Sequence, residues 1–302
     1  MSRHRNNHRI NRPQQRLHRH GLTLLELMLV TTILVMITGA MAALASVVQS
    51  SSEASQASQA SQASQANAMV TQHGRVALER IERAISSATA NENFPGCFVY
   101  IEQIEEWTYP DTLVVWYPET TAADPNGSPM IDELVVFCPD PDSPSELLEI
   151  RLRNGVGAAP ALDDNSGWQM LMAEFKFGET ATRVPLTDLL RIAVPDNRSS
   201  LPKRGVVRFD VRLRPSATEW NEFQLGTRDW NDLSWAQGIH GTGTGLRQTW
   251  CRIELQLQMG HFSETNDSNA GQPEAAAPDT RNADTTTPFF GSGTVYHELH
   301  RS

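Results

Sequence analysis

Residues 16–48 read RLHRHGLTLLELMLVTTILVMITGAMAALASVV, and this stretch decides how the chain is organised. Residues 1–21 contain six arginines and no acidic residue, whereas residues 22–48 contain a single charge, Glu26. A helix of 27 residues spans roughly 40 Å, which exceeds the roughly 30 Å hydrocarbon core of a bilayer. The stretch therefore predicts one transmembrane helix over residues 22–48.

The position of the arginines predicts the orientation of this helix. All six precede the apolar run, so the positive-inside rule puts the N-terminus in the cytoplasm and the rest of the chain in the periplasm. A cleaved secretory signal is the alternative, but its apolar core is only about 7–15 residues long. A carboxylate within such a core also costs about 2.5–3.5 kcal/mol on insertion. We therefore predict a single-pass protein of the inner membrane.

The sequence GLTLLELMLV at residues 21–30, after a basic leader, resembles the class III signal of type IV pilins and type II secretion pseudopilins. The resemblance implies that a prepilin peptidase cuts after Gly21, that Leu22 becomes the N-methylated first residue, and that Glu26 is the fifth residue of the mature chain. It also implies a pilin-like α+β fold. In that fold a long N-terminal helix, with a transmembrane half and an amphipathic half, packs on an antiparallel β-sheet.

Glu26 is the predicted assembly residue. Cleavage would leave a positive amine at Leu22, and the Glu26 carboxylate of a neighbouring subunit could neutralise this amine within the apolar helix bundle. Pairing recovers much of the cost that either charge alone incurs in a membrane. The alternative is that Glu26 serves only recognition by the peptidase.

The rest of the chain divides by composition. Residues 54–66 repeat ASQ with a period of three, which forms no apolar stripe on a helix and is typical of either a marginal helix or a flexible linker. Residues 68–90 carry apolar residues at a spacing of three to four and predict an amphipathic helix. We predict a leader at 1–21, a transmembrane helix at 22–48, a Ser/Gln/Ala spacer at 49–67, a periplasmic α+β head at 68–262, and a disordered tail at 263–302.

From Cys97 onward the apolar residues alternate with polar ones, which is typical of half-buried antiparallel strands. The predicted strands are 97–104, Leu113–Tyr117, Leu134–Cys138, Leu147–Leu152, Glu174–Phe177, Val206–Leu213 and Trp250–Met259. The segments MLMAEFKFG (170–178) and LPKRGVVRFDVRL (201–213) also resemble the paired sheet segments of J-type minor pseudopilins.

Charge and motifs exclude several classes of function. The net charge is −10, and removal of the six leader arginines leaves 25 − 6 = 19 basic against 35 acidic residues, or −16. Binding of nucleic acid by the head is not expected, because it needs clustered Lys and Arg. We find no motif for an activated nucleophile and predict no enzyme activity, no cofactor and no metal.

Three weak motifs favour structural interpretations. GTGTG at 241–245 precedes a strand and lacks the GK[ST] ending of a phosphate-binding loop, which favours a hairpin loop. HELH at 297–300 is not the HExxH zinc motif. The acidic run Asp163–Asp164–Asn165 lacks the EF-hand pattern, so a turn is favoured over a calcium site.

The chain has three cysteines, Cys97, Cys138 and Cys251, with no spacing typical of zinc ligands. A Cys97–Cys138 disulfide is expected as one possibility if the head lies outside the cytoplasmic membrane. The other possibility is three small buried thiols, which suits Cys251 well.

Together these features predict a minor pseudopilin that assembles into the periplasmic pseudopilus of a type II secretion system. Its partners would be other pseudopilins or pilins, the prepilin peptidase and the inner membrane. One alternative is a minor type IV pilin of a pilus or DNA-uptake machine. The other is a membrane-anchored enzyme or binding protein whose stem is never cleaved.

Overall fold

A computed structural model describes residues 24–153, 155–193, 202–238, 240–258 and 286–301. The chain separates into two units, residues 1–63 and residues 64–302, and each is considered by itself. We call residues 64–302 the head unit. The predicted cleavage residues Gly21 and Leu22 lie outside the described residues.

The first element is a helix, α1, which runs from Leu24 to Ser86. It includes the apolar stretch from Leu24 onward and the whole ASQ repeat, so of the two alternatives for the spacer the helix is the one observed. Alanine and glutamine are good helix formers, which is consistent with helical structure where no tertiary contact exists. The predicted amphipathic helix ends at Ser86 in the structure, not at residue 90.

The head unit begins with a five-stranded antiparallel sheet, sheet A, whose strands follow one another in chain order. Four of the predicted strands appear in it, and β2 is longer than predicted. The strands are β1 (Cys97–Ile104), β2 (Trp107–Trp116), β3 (Leu134–Pro139), β4 (Leu147–Leu152) and β5 (Ala181–Thr187). The central strands are buried on both faces, because one face packs on α1 and the other on a second helix.

That second helix, α2 (Asn165–Phe177), corrects one prediction: Glu174–Phe177 is helical and not a strand. Trp168, Leu171, Met172 and Phe175 are buried at spacings of three to four, so they form one helical face against sheet A. The side chain of Asp164 caps the helix by accepting a hydrogen bond from the backbone N–H of Gly167 at 2.9 Å. The acidic run is therefore a helix cap.

A second sheet, sheet B, has the strand order β10-β9-β8. It contains β8 (Val207–Arg214), β9 (Thr244–Gln258) and β10 (Thr286–His300), whereas β6 (Ile192–Ala193) and β7 (Arg204–Gly205) form a separate short pair. The prediction of a disordered tail is wrong for residues 286–300, which pair with β9 along its full length. Met259, the last residue of a predicted strand, lies outside the described residues.

The described residues of the head unit form three hydrophobic clusters. The first cluster joins residues Val70–Ile85 of α1 to one face of sheet A and the inner face of sheet B. The second lies between the other face of sheet A and α2. The third is a small aromatic cluster beside the helix α3 (Ala217–Gln224), and it consists of Trp220, Trp230, Leu233, Trp235 and Leu299. The observed architecture is thus α+β, with a long N-terminal helix and antiparallel sheets.

Candidate functional site

The apolar part of α1 is the first candidate site. Its large hydrophobic side chains between Leu24 and Val48 are exposed. The segment of highest hydropathy in this stretch contains no buried residue. Among the described residues this is the one helix that is long and apolar enough to cross a membrane. A surface of this size and hydrophobicity is a candidate site for contact with a membrane or with another protein.

The polar groups of this helix differ in how well they suit a lipid environment. The hydroxyls of Thr31, Thr32 and Thr38 donate hydrogen bonds to backbone carbonyls three or four residues earlier, at 3.0, 2.7 and 2.7 Å. They are therefore satisfied within the helix, as a membrane requires. Glu26 lies in the first turn of α1 and is the one ionisable side chain between Leu24 and Val48.

A bidentate ion pair connects residue Arg80 of α1 to sheet A within the head unit. Arg80 donates two hydrogen bonds, from Nε and Nη2, to the two carboxylate oxygens of Glu149, at 2.6 and 2.8 Å. Glu149 is almost fully buried on β4 and also accepts from Arg151 at 3.2 Å. Burial raises the pKa of the Glu149 carboxyl, but the hydrogen bonds and charge of Arg80, supported by Arg151, bring this pKa below its ordinary value. A bidentate pair of this kind fixes the position of α1 on sheet A.

A cavity in the head unit has a volume of about 190 Å³. A network of ion pairs forms its charged side. Lys176 and Arg204 each contact a carboxylate oxygen of Glu102 at 2.9 Å, and Arg204 contacts Asp111 at 2.7 Å. The Arg204 guanidinium also lies 4.1 Å from the centre of the Tyr109 ring. The apolar side consists of Pro139, Pro141, Pro144, Pro202 and Phe177.

The charged side chains of this cavity connect separate helices and strands of the head unit through ion pairs. Burial raises the pKa of Glu102, but the charges and hydrogen bonds of Lys176 and Arg204 outweigh it and lower that pKa. The four charged groups pair with one another, which joins α2, β1, β2 and β7. Sequence reasoning missed the network, because its members are scattered between residues 102 and 204 and show no local pattern.

The structure does not form the predicted Cys97–Cys138 disulfide. All three cysteines are free and buried. Cys97 belongs to the first hydrophobic cluster and Cys138 to the second, so the two thiols lie on opposite faces of sheet A. Cys97 shares the first cluster with Cys251, whose sulfur lies 3.7 Å from the carbonyl oxygen of Arg252.

The aromatic cluster borders an unusual buried pair of basic residues. Arg247 and His297 lie opposite each other on β9 and β10, and both side chains are buried. Arg247 donates from Nε to the carbonyl oxygen of Pro215 at 3.3 Å and lies 5.9 Å from the centre of the Trp220 ring. Neither ring nitrogen of His297 has a hydrogen-bond partner among the described residues. Burial, together with the charge of Arg247, lowers the pKa of His297 to about 4.

Two of the weak motifs have structural roles. The backbone N–H of Gly241 donates to the carbonyl oxygen of Thr244 at 2.7 Å, so GTGTG forms a tight turn into β9, as predicted. His297 and His300 of HELH are three residues apart on β10 and therefore point to opposite faces of the strand. The described residues contain no group of three side chains that could hold a metal ion.

Comparison with known proteins found no match for this chain among family models, curated proteins or solved structures. Its function has to be argued from its own residues.

Proposed function

We propose that the chain is a minor pseudopilin, which is processed at Gly21 and assembles through α1 into the periplasmic pseudopilus of a type II secretion system. The observation that supports this most is the combination of a basic leader, Gly21, Glu26 and an apolar helix. A simple membrane anchor needs the apolar helix but has no use for a carboxylate near its start.

The long helix also supports the proposal. A pilin-like subunit needs a stem whose inner part lies in the membrane or filament and whose outer part belongs to the head. In this chain most exposed large apolar residues of α1 lie between Leu24 and Val48, with Met69 and Val76 as exceptions, and its buried residues begin at Val70. Within the head unit, the Arg80–Glu149 pair adds a charge-assisted contact to the apolar packing of the outer part of α1.

The mechanism of such a protein is assembly. The positive amine at Leu22 of an arriving subunit would pair with the Glu26 carboxylate of a subunit already in the filament. The basic leader would prevent this pairing until it is removed, because it places six arginines in front of Leu22 and leaves no amine there. Removal of the leader thus converts a membrane protein into a filament subunit.

Photo-crosslinking in cells that produce the partner pseudopilins tests this role. A photoreactive residue at the exposed position Met36 would capture neighbouring helices. We expect Glu26→Gln to reduce these crosslinks at least about tenfold, because one partner of a charge pair in an apolar environment is lost. The matched control is Glu53→Gln, a substitution at the next acidic residue of α1, which should crosslink like the wild type.

Three outcomes are informative. Equal crosslinking by Glu26→Gln and the wild type would contradict the assembly role of Glu26. A Glu26→Gln protein that keeps its leader would assign Glu26 to recognition by the peptidase. Crosslinks to pilus subunits in place of pseudopilins would identify a minor type IV pilin.

A further inference from the structure

Three polar side chains are buried side by side on the inner face of sheet B. Arg247 and Thr249 are two residues apart on β9, so their side chains point to the same face, and His297 of the edge strand β10 lies directly opposite Arg247. Opposite residues of an antiparallel pair have Cβ atoms about 5 Å apart, and diagonal neighbours such as Thr249 and His297 about 7–8 Å. Arg247, Thr249 and His297 are only 4%, 0% and 9% exposed. We call these three residues the buried polar group.

The hydrogen-bonding capacity of the buried polar group is largely unused within the described part of the chain. The Thr249 hydroxyl oxygen and both ring nitrogens of His297 are buried there without a hydrogen-bond partner. The bond from Arg247 Nε to the carbonyl oxygen of Pro215 uses only one of the guanidinium N–H donors, and no described carboxylate forms an ion pair with Arg247. Burial lowers the pKa of Arg247, and the charge of the exposed Glu92 opposes this only in part. A buried charge without a partner is costly, so the group is suited to a negatively charged ligand.

We propose that Arg247, Thr249 and His297 bind a small tetrahedral oxyanion of the phosphate type. The free edge of a guanidinium donates two parallel hydrogen bonds to two oxygens of such an ion. The Thr249 hydroxyl and one N–H of the His297 ring each supply a further donor for the remaining oxygens. A buried water would satisfy the hydroxyl and the imidazole but would leave the charge of Arg247 uncompensated. An oxyanion satisfies the donors and the charge together.

A bound oxyanion would connect separate parts of the head unit. Arg247 already joins β9 to the segment before α3, through its hydrogen bond to Pro215 and its position over the Trp220 ring. The ion would extend this connection to His297 on β10. The site lies entirely within residues 64–302, so it does not depend on whether α1 is processed or assembles into a filament.

Thermal unfolding of the full-length protein in detergent at pH 7 tests this proposal through tryptophan fluorescence. Inorganic phosphate at 10 mM should raise the melting temperature by roughly 4 °C over sodium chloride of equal ionic strength, the shift expected at about ten times the dissociation constant. Arg247→Met keeps the apolar stem and should reduce this shift to less than about 1 °C. Thr249→Val should lower the affinity for phosphate about tenfold in a titration, because one hydrogen bond is lost. The control Arg212→Met, at an exposed arginine of β8, should respond like the wild type.

Three outcomes would overturn the proposal. Equal shifts in phosphate and chloride would show that only ionic strength matters, and the unpartnered groups would then hold water alone. A wild-type response in both Arg247→Met and Thr249→Val would place the phosphate elsewhere. If Arg247→Met does not fold, Thr249→Val decides, because it removes only a hydroxyl that has no partner among the described residues. An unchanged affinity in that variant would contradict the site.

Discussion

His297 should make the head unit sensitive to acid. Its imidazole is buried, has no hydrogen-bond partner among the described residues and faces the charge of Arg247. These surroundings lower its pKa from 6.5 to about 4. Above about pH 6.5 the imidazole is neutral in both the folded and the unfolded chain, so it causes no pH dependence there. Below that pH the unfolded chain binds a proton that the folded chain does not, and stability falls until about pH 4.

The size of this effect follows from the two pKa values. Between pH 7 and pH 4.5 the linkage relation gives a loss of about 2.5 kcal/mol in the free energy of unfolding from His297 alone. Carboxylates also titrate near pH 4.5, so the wild type has to be compared with a variant that lacks only this imidazole. His297→Phe keeps a ring of similar shape and removes the titration.

Urea unfolding of the full-length protein in detergent measures this difference through the fluorescence of the buried tryptophans. His297→Phe should lose about 2.5 kcal/mol less stability than the wild type between pH 7 and pH 4.5. His300→Gln, a change at an exposed histidine of the same strand, should behave like the wild type. Equal losses for the wild type and His297→Phe would refute the reasoning.

Two further substitutions test how α1 is held by the head unit, and urea unfolding measures both. Arg80→Met should destabilise the head unit by about 2–3 kcal/mol, because the buried Glu149 carboxylate loses its bidentate partner. The control Arg83→Met, at an exposed arginine of the same helix, should have little effect. Gly293→Ala should lower the free energy of unfolding by about 1–3 kcal/mol, because the new methyl group would lie closer than 3 Å to α1. In the control Gly243→Ala the methyl group meets open space, so little change is expected. Wild-type stability in Arg80→Met or Gly293→Ala would contradict these contacts.

Strong local periodicity made part of the fold predictable. The apolar run predicted the first part of α1, and the alternation in residues 97–104 and Leu147–Leu152 gave two strands with the bounds that the structure has. Both patterns are local, because the period of side chains along a helix or a strand can be read from neighbouring residues.

The errors occurred where local patterns were ambiguous. Phe175 and Phe177 alternate with polar residues, as in a strand. The helix was nevertheless indicated by the sequence, because Asp164 supplies a cap and the apolar residues have helical spacing, namely Trp168, Leu171, Met172 and Phe175. In β10 the small and polar residues conceal the alternation. Gly291 and Gly293 lie where α1 approaches β10 too closely for a side chain, a requirement that only the tertiary structure reveals.

The contacts that join distant segments could not be predicted at all. Arg80 meets Glu149, and Arg204 meets both Glu102 and Asp111. Each pairing depends on how sheets and helices pack, and none has a fixed sequence spacing. The Cys97–Cys138 disulfide, which the sequence left as one possibility, is absent because the two thiols lie on opposite faces of sheet A. This placement too depends on how the elements pack.

The central claim is that the chain is a processed pilin-type subunit, and the intact mass of the protein extracted from membranes tests it most directly. The account predicts the mass of a chain that begins at Leu22 and carries one added methyl group. A mass that retains residues 1–21 would contradict the account and would identify α1 as a permanent membrane anchor.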